Sequence, residues 1–398
     1  MKRLLIFALT LVLLALPLSG LADGMVLRTT SNLAGMDPAA QVYVDILEAW
    51  QEANDCTVED YSALADEAWI AEVVQDVNAG KLDVIYFFAG TADSAPILDQ
   101  LVPIAEILQA YPGAQLRDQP LLREPDGQVY AIPVRGFWEG MYCNKDLFDA
   151  HGLALPTNAQ QFETAIARFH EAGITPLAVA LGEVPNYLVE HVILACGTPD
   201  EHRARPRSAE QLPTAWTDGM RLIRHLAEIH AFSPEAAYTD EFTAQQMFRD
   251  KQAAMLIEGS WFADTIDPAS WDSTVVLPFP AYAPHADATA AIGTMSMGFS
   301  ITRAAWNDPE RREAAVSLLA ALTSPSATAQ FGYSFDGALL QSAQQMMGNA
   351  QALCSPIGDA MDPDVRAQWF TRVPGLADGT QDATALMPEL IQAGAFAW

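Results

Sequence analysis

The feature that most constrains the fold is a continuous run of β-branched and aromatic residues at 83–88 (DVIYFF). A strand without apolar–polar alternation is typical of a sheet that is covered on both faces. Two further β-like segments precede it, at 26–30 and 56–61, and helical patterns lie between them at 37–50 and 66–78. The order strand, helix, strand, helix, strand predicts an α/β fold with a parallel sheet.

The N-terminus has the pattern of a secretory signal peptide. Lys2 and Arg3 precede an apolar run at 4–18, and small residues follow, so we expect residues 1–22 to be removed on export. The run is shorter than the roughly 20 residues that a membrane-spanning helix needs. Leu21 stands where a lipoprotein would carry its lipidated cysteine, so the sequence gives no basis for predicting a lipid anchor. The expected location is the periplasm or the cell surface.

The charge of the chain excludes several classes of partner. Loss of Lys2 and Arg3 with the signal peptide takes the formal charge from −29 to −31. Such an acidic protein is not expected to bind nucleic acid or anionic membranes, which both require neutralising Lys and Arg. None of the four lysines is followed by Ser or Thr, which excludes a phosphate-binding P-loop.

The cysteines indicate neither a metal site nor a cofactor. Export permits disulfides, but the spacings are wide, no CxxC occurs and zinc is not expected, so we expect buried free thiols at Cys56, Cys143, Cys196 and Cys354. Seven histidines form no HExxH or HxH motif. We expect a monomer that holds no metal and no cofactor.

The length of 398 residues suggests two or three structural units. Residues 130–148 begin as a strand, carry Phe137 and Trp138 between two glycines, and end in NKDLF. We interpret this stretch as a crossover between two lobes. Strand-like segments at 128–134, 176–181, 253–257, 275–277 and 295–302 and several helical patterns complete the chain.

Four segments in order resemble the extracellular solute-binding protein family 1, the sugar-binding components of ABC importers that include maltose-binding proteins. The segments are GKLDVIYFFAG at 80–90, DGQVYAIPVRGFWEGMYCNKDLF at 126–148, FRDKQAAMLIEGSWF at 248–262 and DPERREAAVSLLAALTSP at 308–325. Cys143 departs from the tyrosine that is usual in the second segment. The resemblance covers roughly residues 26–332, and residues 333–398 match poorly.

The resemblance implies a two-lobed periplasmic-binding-protein fold (type II), with a ligand cleft between lobes joined by crossover strands. The first lobe would comprise residues 25–134 and 278–332, and the second residues 137–277 and 333–398. The implied function is an extracytoplasmic receptor that captures a mono- or oligosaccharide by hinge closure. Its implied partners are the carbohydrate and the transmembrane subunits of an ABC importer.

A sugar ring has apolar faces and polar edges, so a sugar site needs flat aromatic surfaces and planar hydrogen-bonding groups. The resemblance and the strand ends together nominate ten ligand-binding residues: Asn32, Phe88, Thr91, Asp93, Phe137, Trp138, Glu183, Tyr187, Gly259 and Trp261. Trp261 is the strongest candidate, and Thr91 competes with Asp93. Strand alternation lets only one of Phe137 and Trp138 face the cleft. We interpret Glu139 as the ion-pair partner of Arg135.

Two alternatives stay open at this point. The same fold is compatible with a non-sugar solute, such as a polyamine, another cation or a metal, which the acidic charge would attract. A secreted hydrolase is less favoured, because the sequence has no GxSxG elbow.

Overall fold

The computed structural model describes residues 24–35, 37–114, 116, 122–124, 126–332 and 334–396. The predicted signal peptide at 1–22, with Leu21, lies outside these ranges. No helix within them has both the length and the apolar character that a membrane span requires.

The described chain alternates short strands with helices. The strands are β1 (Val26–Thr30), β2 (Thr57–Asp60), β3 (Val84–Phe88), β4 (Phe137–Asn144), β5 (Thr175–Ala178), β6 (Ala253–Gly259), β7 (Thr274–Leu277), β8 (Ala290–Thr294), β9 (Met297–Ile301) and β10 (Ala352–Cys354). The helices are α1 (Ala40–Asn54), α2 (Glu67–Asn78), α3 (Ile104–Ala110), α4 (Lys145–Ala150), α5 (Ala159–Glu171), α6 (Asn186–Ala195), α7 (Pro199–His202), α8 (Thr214–Glu228), α9 (Glu241–Arg249), α10 (Ser260–Ala263), α11 (Arg303–Asn307), α12 (Pro309–Leu322), α13 (Pro325–Gln330), α14 (Gly337–Asn349), α15 (Pro363–Arg372), α16 (Pro374–Asp378) and α17 (Leu386–Gln392).

Several helices begin where the sequence places a cap. The Asp66 carboxylate accepts a hydrogen bond of 2.7 Å from the backbone N–H of Trp69 and starts α2. The Asp308 carboxylate accepts from the N–H of Glu310 at 3.1 Å and starts α12, with Pro309 in its first turn. An acceptor at this position satisfies backbone donors that have no partner inside the helix.

The first sheet has the strand order β2-β1-β3-β9, in which β1, β2 and β3 are parallel and β9 is antiparallel to β3. This confirms the parallel sheet that the strand–helix pattern predicts. Four of the five residues of β3 are buried, as the continuous apolar run requires. The helices α1 and α12 share one hydrophobic core with β1 and β3 through residues such as Trp50 and Leu318.

The second sheet has the strand order β10-β8-β4-β6-β5. Along one edge β4 pairs first with β8, at 137–138, and then with β7, at 141–144, so the sheet forks there. The strand β4 is antiparallel to β6 and β8, β5 is parallel to β6, and β10 is parallel to β8. The carboxyl ends of β5, β6, β8 and β10 and the start of β4 therefore lie on the same edge.

The chain crosses between the two sheets at 134–137, at 294–297 and at 331–335, which defines two lobes. The sequence analysis placed 278–294 with the first lobe. The structure instead pairs β8 with β4 and β10 and packs Phe279 in the core of the second lobe. The first strand that returns to the first lobe is β9, and the helices α14 to α17 pack against the second lobe.

The sequence analysis predicted a strand at 128–134, and this prediction is wrong. Ile132 makes a single antiparallel bridge, with hydrogen bonds of 2.9 and 3.0 Å to Phe299. Pro133 follows and has no N–H to extend the ladder. The segment is thus an extended connection that runs along the edge of β9.

The four cysteines are buried free thiols at positions 56, 143, 196 and 354. Cys56 lies in the core of the first lobe, Cys143 and Cys196 lie in the core of the second lobe, and Cys354 lies in a small cluster with Leu194, Ala290 and Ile292.

Candidate functional site

The loop that follows β3 in the first lobe contacts the loop that follows β10 in the second lobe, through a hydrogen bond from Ala92 to Asp359. In open α/β sheets, ligands bind beyond the carboxyl ends of the strands. In the first lobe these segments are residues 31–33, after β1, and 89–94, after β3. In the second lobe they include residues 179–187, after β5, residues 260–261, after β6, and residues 355–360, after β10. The facing segments form the candidate cleft.

Three partly exposed aromatic rings line one part of the second lobe: Phe137 at the start of β4, Tyr187 at the start of α6 and Trp261 after β6. The ring centroid of Trp261 lies 5.8 Å from that of Phe137 and 5.6 Å from that of Tyr187. The indole N–H of Trp261 donates to Glu241 at 3.3 Å, which holds the ring in place. We call these three rings the aromatic wall.

Gly259 allows Trp261 to take this position. A Cβ atom built at Gly259 would lie 2.2 Å from the indole ring, far closer than side chains approach in folded proteins. The carbonyl oxygen of Gly259 also accepts a hydrogen bond of 2.8 Å from the Tyr142 hydroxyl. Because Gly259 has no side chain, the indole of Trp261 packs directly on the backbone at the end of β6.

Several polar atoms along the candidate cleft are buried but have no hydrogen-bond partner among the described residues. Those of the first lobe are Asn32 Oδ1, Thr91 Oγ1 and Glu124 Oε2, and those of the second lobe are Glu139 Oε2 and Asp359 Oδ2. An unpaired buried polar group costs about 1–3 kcal/mol, and such groups in native proteins call for a ligand, an ion or a water. The two lobes thus offer unused hydrogen-bonding capacity to whatever lies between them.

An ion-pair bridge joins the two lobes directly. The guanidinium of Arg366, on α15, donates to both carboxylate oxygens of Asp93 at 2.9 Å and to both of Glu67 at 3.2 Å. The side chains of Arg366 and Asp93 are only 6% and 2% exposed. Beside them, the N–H of Ala92 donates to the carbonyl oxygen of Asp359 at 2.7 Å. We call these contacts the interlobe bridge.

The interlobe bridge and the aromatic wall lie at opposite ends of the cleft. The bridge involves residues that follow β10, at one end of the second sheet. The aromatic wall involves residues of β4 and residues that follow β6 and β5, toward the other end.

A buried carboxylate positions the loop that carries Asp359. Glu190, on α6, accepts hydrogen bonds from the N–H of Ile357 at 2.8 Å and of Gly358 at 3.4 Å. Its other oxygen lies 2.9 Å from Nε2 of His202, and both side chains are fully buried. Burial lowers the pKa of His202, but Cys354 and Glu190 raise it more, to about 9. The resulting imidazolium balances the charge of Glu190.

Glu139 does not lie where the sequence analysis expected. Arg135 forms its ion pair with Asp37, whereas the Glu139 carboxylate lies 3.8 Å from Nδ1 of His191. That nitrogen is 2.7 Å from the carbonyl oxygen of Tyr187 and donates to it. Burial lowers the pKa of His191 to about 4, so the ring is neutral near pH 7. Burial raises the pKa of Glu139 well above its usual range, and the charge of Glu190 adds to this effect.

Asp359 is expected to make the stability of the protein depend on pH. Burial, with the nearby charges of Asp93 and Glu190, raises its pKa to about 8, although Arg366 and Arg205 oppose this. A carboxyl whose pKa is raised in the folded state stabilises the fold below its unfolded pKa of about 4. This stabilisation is lost as the pH rises through about 8.

The substitution Asp359→Asn removes the ionisation. We expect the free energy of unfolding of the variant, relative to the unmodified protein, to rise by about 3–4 kcal/mol between pH 5 and pH 8, because each pH unit in this window corresponds to about 1.4 kcal/mol. The melting temperature of the variant relative to the unmodified protein should rise with it. Asp364→Asn, an exposed residue on α15, is the control with the same change of charge. Melting curves that shift in parallel across this pH range would show that Asp359 ionises normally.

Four of the nominated residues lie together in the second lobe: Phe137, Tyr187, Gly259 and Trp261. Asn32 and Thr91 lie on loops of the first lobe, and the side-chain oxygen of each has no hydrogen-bond partner among the described residues. Phe88 is partly exposed at the end of β3 and packs edge-on against Phe87 at 5.6 Å.

The other three nominated residues have structural partners. Trp138 is 7% exposed and stacks on Tyr142 at 5.9 Å inside the core, because alternation along β4 turns Phe137 to the opposite face. Glu183 accepts a hydrogen bond of 2.8 Å from the N–H of Glu241 at the start of α9. Both oxygens of Asp93 are occupied by Arg366. Trp138 thus belongs to the core of the second lobe, and Glu183 caps the start of α9.

Sequence reasoning missed Glu124, Asp359 and Arg366. Glu124 and Asp359 stand in irregular segments without a periodic pattern. Arg366 lies in the region that the resemblance matches poorly. The sequence marks both loops only by an acidic residue beside a glycine, at Gly358-Asp359 and at Asp126-Gly127, two residues after Glu124. Such pairs are also common in ordinary turns and therefore do not indicate a binding site.

Among the described residues, no group of three or more His, Cys, Asp or Glu side chains is arranged to hold a metal ion. The aromatic wall offers surfaces for stacking, and the buried oxygen atoms offer hydrogen-bond acceptors.

Comparison with known proteins gives a consistent result. The family model described as "Bacterial extracellular solute-binding protein" matches residues 35–329. Among solved structures, a chitin oligosaccharide binding protein is 19% identical, with a TM-score of 0.79 over 95% of this chain and 100% of that chain. A bacterial solute receptor with a preference for β-D-galactopyranose is 18% identical, with a TM-score of 0.74 over 94% and 98%.

A third structure, a sugar transporter from Bacillus licheniformis in complex with stachyose, is 14% identical, with a TM-score of 0.70 over 93% of this chain and 99% of that chain. No curated protein sequence matches the chain. At these identities the likeness to solved structures shows the fold, and the expected two-lobed α/β architecture is confirmed.

Proposed function

We propose that this chain, which belongs to the bacterial extracellular solute-binding protein family, is the carbohydrate receptor of an ABC importer. The observation that carries this proposal is the composition of the cleft. The aromatic wall offers flat apolar surfaces on one lobe, and both lobes present buried oxygen atoms without a partner among the described residues. Apolar ring faces and polar hydroxyl edges are the two features that a sugar combines.

The aromatic wall supports a sugar ligand over a purely ionic one. Trp261 and Phe137 stay partly exposed although each has a large apolar surface. Covering such a ring with the C–H face of a sugar removes apolar area from water, at about 25 cal/mol per Å². A small inorganic ion would leave these rings uncovered. The sugar-binding proteins among the similar folds agree with this choice of ligand.

Binding would operate through lobe closure. A ligand that contacts the aromatic wall and the oxygen atoms of the first lobe touches both lobes only when they are closed. Its binding free energy therefore favours the closed state over the open one. The interlobe bridge adds contacts that do not involve the ligand, so closure would require less of the ligand's binding energy.

The role that we infer is binding and delivery without catalysis. The transmembrane subunits of the importer would recognise the closed form, and export would place the protein outside the cytoplasm. The carboxylates of the cleft serve here as hydrogen-bond acceptors for hydroxyl groups, since an ionised carboxylate accepts on both oxygens.

The test is a thermal-shift screen of the purified protein against mono- and oligosaccharides, with amino acids, polyamines and metal ions as comparison sets. A ligand at about 100 times its dissociation constant stabilises by about 2.7 kcal/mol, which is readily visible as a higher melting temperature. A shift with one class of saccharide is the expected result. An unchanged melting temperature with every saccharide, together with a higher melting temperature with an amino acid or a metal ion, would reject the carbohydrate proposal.

A further inference from the structure

Two carboxyl groups connect to the aromatic wall through Trp261. Glu241, at the start of α9, accepts the hydrogen bond of 3.3 Å from the indole N–H of Trp261. Glu258, near the end of β6, is only 1% exposed. A single amide nitrogen, Nε2 of Gln245, donates to Glu258 at 2.7 Å and to Glu241 at 3.2 Å. The two carboxyls therefore lie side by side, and we call them the acid pair.

The acid pair is held by amide groups. One oxygen of Glu258 accepts from Gln245, and the other accepts from the N–H of Gly259 at 2.6 Å. Arg249 is the cation of the same helix α9, but its guanidinium donates to Oε1 of Gln245 at 3.5 Å and to the Thr265 hydroxyl at 2.8 Å. Within the described chain, Gln245 thus stands between this arginine and the carboxyls that it would otherwise neutralise.

The other ionisable groups beside the acid pair add negative charge. Desolvation raises the pKa of the Tyr187 hydroxyl well above its usual range, and the charges of four acidic residues add to this effect. These residues are Glu241 and Glu258 of the acid pair, Glu183 before α6 and Glu139 on β4. A second negative charge at the acid pair would therefore be unfavourable.

The titration of Glu258 agrees with this geometry. Burial raises its pKa well above the usual range, and the charge of Glu241 and a hydrogen bond between the two carboxyls act in the same direction. The hydrogen bonds from Gln245 and Gly259 oppose this shift. Adjacent carboxyls that cannot both ionise hold one proton between them. Glu258 can thus keep a proton and donate it in a hydrogen bond to Glu241.

We propose that the acid pair shares one proton and positions Trp261 for stacking on the ligand, so that ligand affinity depends on pH; this rests on the carbohydrate-binding function proposed above. With the proton present, ionised Glu241 accepts from the indole N–H, and a hydrogen bond to a charged acceptor is about twice as strong as a neutral one. The indole is then fixed between Phe137 and Tyr187.

Loss of the proton changes the contacts of the indole. Two carboxylates would then share the amide of Gln245 next to the apolar core that contains Leu256 and Phe262. Glu241 is the more exposed of the two, so it would turn toward water and leave the indole N–H without its acceptor. Because the pKa of Glu258 is raised in the folded protein, the positioned state exists below that pKa and is lost as the pH rises through it.

The first measurement needs no ligand. The protein is labelled with ¹⁵N-tryptophan, and among the nine tryptophans the indole signal of Trp261 is the one that Trp261→Phe lacks. A charge-assisted hydrogen bond to a carboxylate moves an indole N–H signal downfield. We expect a downfield Trp261 signal at about pH 5 that moves upfield as the pH rises to about 10.

Three variants show whether the acid pair causes this titration. Glu258→Gln is neutral at every pH and keeps N–H donors for Glu241, so the Trp261 signal should stay downfield without titrating. Glu241→Gln removes the charged acceptor, so the signal should lie upfield at every pH. Glu235→Gln, at an exposed position of the same lobe, is the control and should titrate like the unmodified protein. If Glu258→Gln does not fold by circular dichroism, the unmodified protein and Glu241→Gln decide.

The second measurement is affinity by isothermal titration calorimetry, with galactose, raffinose and N,N′-diacetylchitobiose as probes. For a saccharide that binds, we expect the affinity of the unmodified protein to fall about fivefold from the acidic to the alkaline end of the range, which is the difference between a charged and a neutral hydrogen bond. At the alkaline end Glu258→Gln should bind more tightly than the unmodified protein. Glu235→Gln should follow the unmodified protein.

The outcomes separate this inference from the proposed function. A Trp261 signal that is constant over the pH range, or that titrates equally in Glu258→Gln, would reject the shared proton. A titrating signal with a saccharide affinity that does not change with pH would reject the positioning role and leave the carbohydrate receptor in place. A titrating signal without binding of any of the three saccharides would support the acid pair and count against the carbohydrate receptor.

Discussion

Replacing Arg366 by alanine is expected to separate the two lobes and to weaken ligand binding by about 150-fold or more. Without the guanidinium, the buried carboxylate of Asp93 would remain uncompensated in the closed form, which costs about 3–5 kcal/mol. Opening of the lobes relieves this cost because Asp93 then regains water. The population of the closed form falls, and the apparent dissociation constant rises by the same factor. Small-angle X-ray scattering and calorimetry measure the two effects.

Two variants test the specificity of that effect. Arg366→Lys keeps the charge but loses the two parallel hydrogen bonds that a guanidinium makes with a carboxylate, so an intermediate loss of affinity is expected. Arg372→Ala removes an arginine of the same helix that pairs with Glu389 on the surface of the second lobe, and should bind normally. A radius of gyration and an affinity that do not change in Arg366→Ala would show that the interlobe bridge does not contribute to closure.

Trp261→Ala is expected to reduce the affinity for the ligand by about 1–3 kcal/mol, or about 5–150-fold. The indole combines a stacking interaction with a large apolar area that the ligand would cover. The ring is partly exposed and contacts Phe137 and Tyr187, so its loss should change the melting temperature of the free protein much less than it changes binding.

Trp261→Phe is the matched control, since it keeps a flat aromatic ring and should retain part of the affinity. Binding by calorimetry and melting of the free protein are measured for both variants. Affinity in Trp261→Ala equal to that of the unmodified protein would remove this residue from the binding site and move the site away from the aromatic wall.

Much of the architecture could be predicted from local patterns. The continuous apolar run of β3 and the helical periods beside it predict the first sheet, and its strand order confirms this. Trp261 follows Gly259 and Ser260 directly at the end of a predicted strand. This local pattern was sufficient to nominate Trp261 before its contacts were known. Because successive side chains of a strand point to opposite faces, the sequence also predicted that only one of Phe137 and Trp138 faces the cleft.

Other elements could not be predicted because their local pattern is weak. The strand β8 is small and glycine-containing (AAIGT), and β10 has three residues. Both become strands because they pair with each other and with β4. The segment at 128–134 shows the reverse, since its apolar residues resemble a strand but form only isolated bridges, Val129 with Arg123 and Ile132 with Phe299.

The sequence by itself determined the family, the order of strands and helices in the first lobe, and the residue types that a cleft would offer. Only the tertiary structure decided which of these residues meet. Asp93 and Arg366 are 273 positions apart, and Glu124 lies 34 positions from Gly90. Hydrophobic periodicity depends on near neighbours in the chain, whereas an ion pair or a buried unpartnered oxygen depends on which distant surfaces pack together. The cleft chemistry is therefore a property of the packed lobes.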